Sequence, residues 1–183
     1  MKRPRLFLDV DGVFLAIYGG VFQLRPYAGT FLQWANEHFD MFWLTCHGPR
    51  STNEIAFLCS FGQITDPESY LAGDTISRVA RRAIGYADWE PDGKRTRLDK
   101  LQGVIDNGGL DGEWFVLEDE YPMDGAVSFL REKDLLQRWV ICPPTGADVL
   151  LEAMYYFQEL KDNKWDQKKV RPPWRNVNER IAV

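Results

Sequence analysis

Cysteine is scarce in this chain, with Cys46, Cys59 and Cys142 the only three among 183 residues. An odd number of thiols, widely spaced in apolar segments, makes neither a disulfide framework nor the paired spacing of a zinc site, and it fits a reducing cytoplasm. Missing too is any apolar run near the roughly 18–20 residues that span a bilayer. The Met-Lys-Arg-Pro-Arg start leads into a short strand rather than an export signal, so the expectation is a soluble, cytoplasmic protein that does not engage membranes. No repeat or low-complexity segment is evident. Charge of one sign is also lacking: 27 acidic against 22 basic residues leave a net charge of −5, which exerts no general pull on nucleic acid or an anionic membrane.

What is present is apolar and aromatic mass, 45% and 14% of the residues, enough for one domain with a sizeable core. The first apolar run, Leu6-Phe7-Leu8, reads as a strand and ends in Asp9-Val10-Asp11-Gly12. Beyond it, residues 14–24 carry two β-prone arms around Gly19-Gly20, a small hairpin flap. Phe31, Trp34, Ala35, His38 and Phe39 recur at helical spacing, and residues 41–44 form a second strand ending at Thr45. A capping box, Ser51 to Glu54, opens a helix through Leu58, and residues 63–65 form a short third strand. Ile76, Val79, Ala80, Ala83 and Ile84 mark a helix, residues 86–97 an irregular loop, and residues 98–105 another helix. Strands follow at 114–117 and 138–142, and Thr145 can cap a helix running through Leu160. Such alternation predicts a three-layer α/β domain over residues 1–160, a parallel sheet between helices, with residues 161–183 as a tail.

The polar residues fall where such a sheet puts its ligands. Asp9 and Asp11, Thr45, and Glu118 and Asp119 each follow an apolar strand, so all gather at the carboxyl edge. Asp9 and Asp11 lie on one side of their strand, and two anions so placed repel unless a cation or proton stands between them. Gly12 lets the chain turn so that backbone N–H groups approach an anion.

Asp9-x-Asp11-Gly12-Val13 resembles the first motif of the haloacid dehalogenase-like (HAD) superfamily, and the resemblance extends over residues 6–142 as an ordered set of motifs. Thr45 matches the second motif. Lys100 and Lys94 are both candidates for the third, Lys100 being favoured because it opens an apolar helical segment leading into the next strand. Glu118-Asp119 matches the fourth, where Asp-Asp or Asp-Asn is more usual. The resemblance implies a Rossmann-like sheet of strand order 3-2-1-4-5 and a Mg²⁺-dependent phosphomonoester hydrolase. Asp9 would attack phosphorus to give an aspartyl-phosphate, and Asp11 would handle protons. Thr45 and Lys100 would hold phosphate oxygens, with Gly12, Cys46 and His47 around the substrate. Asp9, Asp11 through its carbonyl, Asp119 and Glu118 are the metal ligands it implies, with Asp119 preferred to Glu118. The short interval from Gly12 to Thr45 leaves little room for a helical cap, so the site should be open.

Other residues read more plainly. Cys46-His47 and Arg50 are too close together for a cysteine-phosphatase loop, which needs five residues between Cys and Arg. After Leu160, lysines and arginines interleave with Trp165 and Trp174. Basic residues with aromatics bind single-stranded nucleic acid by phosphate contact and stacking, which makes a polynucleotide-end phosphatase one alternative. A catalytically silent HAD-like scaffold is another, disfavoured by the full set of acidic, hydroxyl and lysine residues. Docking of the tail on protein, either its own domain or a second subunit, is the favoured reading, because indoles are costly to leave in water.

Overall fold

A computed structural model describes residues 2–18, 21–45, 84–86, 100–108, 110–143 and 146–174. In chain order these form β1 (Arg5–Leu8), β2 (Leu15–Tyr18), β3 (Val21–Leu24), α1 (Ala28–His38), β4 (Asp40–Trp43), β5 (Ile84–Tyr86) and α2 (Lys100–Asp106). They continue with β6 (Trp114–Glu118), α3 (Asp124–Glu132), a 3₁₀ turn (Leu136–Arg138), β7 (Trp139–Ile141) and α4 (Val149–Asp162). The main sheet has the order β5-β4-β1-β6-β7 and every pairing in it is parallel. With the separate antiparallel pair β2-β3 set aside, the sheet strands run 3-2-1-4-5.

The period-two alternation of a strand decides which helices each residue meets. Leu6 and Leu8 of β1, with Phe115 and Leu117 of β6, join a core closed by α1 and α4. Phe7, Trp114 and Val116 face the other way, onto Leu101 and Val104 of α2 and Ala126 and Leu130 of α3. Strands buried on both faces read as continuous apolar runs, as a parallel sheet between helical layers requires.

Three expectations shift. Ile84, read as the end of a helix, lies instead in β5, because Ile84-Gly85-Tyr86 pairs with Met41–Trp43; sheet pairing outweighs a helical spacing that an isolated β-branched residue can also satisfy. The expected third strand at 63–65 and the helices at 51–58 and 76–83 lie outside the described residues, as do Gly19-Gly20 and Thr145. The last helix starts at Val149 rather than just after 145, since Gly146 has φ +129°, a backbone state that no helix contains. β7 starts at Trp139 because residues 136–138 are wound into the 3₁₀ turn. Helix α3 was not expected at all, although Ala126, Phe129 and Leu130 pack onto the core at helical spacing.

Between Gly12 and Thr45 the described residues form the β2-β3 hairpin, α1 and β4, with no helical cap among them. Beyond α4 the chain turns back onto the core. Lys164 and Trp165 both take positive φ, and the Trp165 ring settles 5.4 Å from Phe39 and 5.6 Å from Phe115, centre to centre. Val170 is buried, and the Trp174 indole N–H donates to Glu152 Oε2 at 2.6 Å. Lys168 and Lys169 stay on the solvent side. No described helix is long and apolar enough to cross a membrane.

Candidate active site

Parallel pairing brings the ends of β1, β4 and β6 to one level. Asp9 N–H donates to Leu117 O at 3.1 Å, Leu44 N–H to Leu8 O at 2.8 Å, and Cys142 N–H to Glu118 O at 2.7 Å. Side-chain parity then does the selecting. Asp9 continues the face of Phe7, and Glu118 that of Val116, so both carboxylates emerge on the side where α2 packs. Lys100 is the first residue of α2. Its Nζ lies 2.6 Å from Glu118 Oε2 and 3.1 Å from Asp9 Oδ2, bridging the two.

Asp119, one residue beyond β6, completes the cluster: carboxylate oxygens of Asp9, Glu118 and Asp119 lie within 4.8 Å of one another. Its own N–H donates to Glu118 Oε1 at 3.3 Å. The Asp119 side chain lies directly over Gly12, where an added Cβ would fall 1.8 Å from Asp119 Oδ2 and where φ is +70°. Glycine is therefore required at this position twice over, by conformation and by space. Gly12 N–H closes the turn onto Leu15 O at 2.7 Å.

Among the described residues, three carboxylates against one ammonium leave an excess of two negative charges if all are ionised. Burial, then the charge of Asp9, raises the Glu118 carboxyl far above its ordinary range despite the opposing pull of Lys100. Burial also raises Asp119, with Asp9 and Glu120 adding to the effect and the hydrogen bond to Glu118 opposing it. Burial by itself would lower Lys100, but Glu118 and then Asp9 outweigh it and the ammonium is held above its ordinary value. Buried carboxylates that resist ionisation together, with oxygens already close, suit a hard divalent ion, and Mg²⁺ takes oxygen ligands of this kind.

The remaining residues divide. Thr45 is wholly buried immediately after β4, at the same sheet edge. Asp11 is half-buried on the turn between β1 and β2, and its carboxylate is not one of the three that converge. Of the two lysine candidates, Lys100 is at the carboxylates, whereas Lys94 lies outside the described residues, as do Cys46, His47 and Arg50. Sequence reading passed over Arg25. It is 0% exposed and bonds the carbonyl of Gly12, yet a lone arginine between a hairpin arm and Pro26 gives no signal of that.

No protein-family profile and no curated protein matches this chain. Among solved structures it matches a variant of the fission yeast RNA polymerase II CTD phosphatase Fcp1 bound to beryllium fluoride, with a TM-score of 0.44 and 13% identity. The match covers 91% of this chain and 54% of the other, so the chain spans about half the length of that protein. The protein is thus a three-layer α/β chain with an acidic, lysine-bridged site at the carboxyl edge of its parallel sheet.

Proposed function

We propose that this chain is a Mg²⁺-dependent phosphomonoester hydrolase working through an aspartyl-phosphate on Asp9. The observation that carries the reading is the convergence of Asp9, Glu118 and Asp119 with Lys100 bonded to two of them. Asp9, the backbone carbonyl of Asp11, and Asp119 would hold the ion, and Glu118 would border it while engaged with Lys100. When bound, the ion offsets the repulsion between the site's carboxylates and a phosphate dianion and withdraws charge from the phosphoryl oxygens.

Asp9 Oδ attacks phosphorus, and the bond from phosphorus to the ester oxygen breaks. Asp11 gives its proton to that leaving oxygen, which departs as an alcohol. Water then attacks the phosphoryl group and Asp11 takes the water's proton, while the bond from phosphorus to Asp9 breaks to release inorganic phosphate. Lys100 fixes the attacking carboxylate, and with Thr45 it answers the charge that develops on the equatorial oxygens. The absence of an inserted cap between Gly12 and Thr45 favours phosphate groups carried on bulky molecules. The Trp165 ring packs on Phe39 and Phe115, which withdraws it from the stacking role that a polynucleotide-end phosphatase would ask of the tail.

A phosphate-release screen over sugar phosphates, nucleotides, phosphopeptides and 3′- or 5′-phosphorylated oligonucleotides, with and without a chelator, tests the reading. Release that depends on Mg²⁺ and is lost in Asp9→Asn is the expected result. Release that persists in chelated, metal-free protein would sink the mechanism.

A further inference from the structure

Arg25 is a fully buried cation whose side-chain bonds to the described residues go to backbone carbonyls and none to a carboxylate. Its Nη2 donates to Gly12 O at 2.6 Å and Pro143 O at 2.9 Å, and Nη1 donates to Gly146 O at 2.9 Å. Its Nε is buried with no hydrogen-bond partner. The guanidinium therefore ties together the turn after β1, the loop between β7 and α4, and the end of the β2-β3 hairpin. Such an arrangement is costly, since a desolvated charge is answered only by dipoles. A neutral donor such as glutamine could not reach three carbonyls spread over two loops, whereas the planar fork of arginine can.

We propose that Arg25 is a positioning residue for the phosphoryl-transfer site, acting through Gly12; the inference rests on the phosphatase reading above. Being wholly buried, Arg25 cannot touch substrate. Its route to the site is short. Gly12 O accepts from Arg25 and lies 3.9 Å from the Cys142 thiol, while the α-carbon of Gly12 is pressed against the Asp119 carboxylate. Holding the Gly12 carbonyl fixes the floor on which Asp119 rests and the turn that carries Asp11. Arg25 also donates its backbone N–H to Phe14 O at 2.8 Å, so the hairpin end and the turn move as one unit.

Two effects of Arg25 on cation binding have opposite signs, which makes the inference testable. A positive charge near the carboxylates weakens cation binding, so if charge alone mattered Arg25→Met would bind a divalent ion more tightly and Arg25→Lys would be unchanged. If positioning dominates, Arg25→Lys keeps the charge but loses the fork, and both variants bind more weakly. The experiment measures Mn²⁺ dissociation constants of the full chain and the two variants, alongside kcat and KM for an aryl phosphate, at a temperature where circular dichroism shows all of them folded. We expect each variant to lose about tenfold or more in Mn²⁺ affinity, the range typical of residues that orient metal ligands, and to lose kcat with little change in KM. Unchanged or tighter Mn²⁺ binding by the variants would overturn the inference while leaving the phosphatase reading intact. Failure of the parent chain to bind Mn²⁺ would overturn both. Should neither variant fold, the unsubstituted chain still decides the matter: the buried Arg25 Nε–H resonance should shift as Mg²⁺ saturates the site, and a resonance that does not move would refute the coupling.

Discussion

At position 118 a glutamate, one methylene longer than aspartate, carries its carboxylate out to Lys100 Nζ at 2.6 Å. On the proposed reading Asp119 is thereby left for the cation, while Lys100 bridges Glu118 and Asp9. Because the carboxyl of Glu118 is raised above its unfolded value of about 4.3, its stabilising contribution is present below that pH and fades as pH rises through the folded value. Cation-free protein is therefore penalised at neutral pH. Glu118→Gln keeps the shape without the charge, and in chelator at about pH 7 its Tm should equal or exceed the parent's; a fall of several degrees would mean that Lys100 depends on the charge of Glu118 more than the site suffers from it. Asp9→Asn removes the attacking oxygen without removing volume, so turnover should drop below detection with Tm unchanged or raised, and measurable turnover would identify another nucleophile. Part of this scale could be read from sequence: Asp9, Glu118 and Asp119 each follow an apolar strand and so reach one sheet edge, whereas Lys100, on a helix, was expected only through the resemblance. Arg25 could not, because its role lies in reaching carbonyls of Pro143 and Gly146 that are remote in sequence.

Continuous apolar runs were legible and the shortest strand was not. β1 and β6 are buried at every position and announce themselves as apolar runs. β5 has just Ile84, Gly85 and Tyr86, too few to leave a detectable period, whereas helix α3 packs Ala126, Phe129 and Leu130 at helical spacing and was missed all the same. The segment after α4 illustrates the reverse case, in which composition pointed to basic character but the indoles dictate where the chain goes. Trp165 bridges Phe39 at the end of α1 and Phe115 of β6, sealing one helical layer against the sheet. Truncating this half-buried ring in Trp165→Ala should cost about 2–4 kcal/mol, visible as a lower denaturant midpoint with an unchanged slope. Loss of stability within the error of the measurement would show that the ring only covers the surface. Removing all residues after Leu160 should cost more, since Val170 and the bond from Trp174 to Glu152 are lost as well.

For the molecule as a whole, the proposed function makes cation binding and folding one equilibrium. Carboxylates that repel one another in the folded chain gain a partner that the unfolded chain cannot offer. Mg²⁺ at about 100 times its dissociation constant should add about 2.7 kcal/mol of stability. Thermal melts across a Mg²⁺ series should therefore rise with concentration in the parent, and much less in Asp119→Asn; a flat series in the parent would remove the metal from the site. The strand order carries a separate consequence, for the order of synthesis. β1 is made first and lies at the centre of the sheet, but its partner on one side, β6, does not exist until Glu118 has been added. Through most of translation the central strand has one edge of unpaired amides and carbonyls beside Leu6, Phe7 and Leu8. A nascent chain stalled before Trp114 would thus present an apolar template for pairing with other chains, and it is the arrival of β6, flanked within the next few residues by Glu118, Asp119 and Glu120, that ends this exposure and completes the acidic site in the same step.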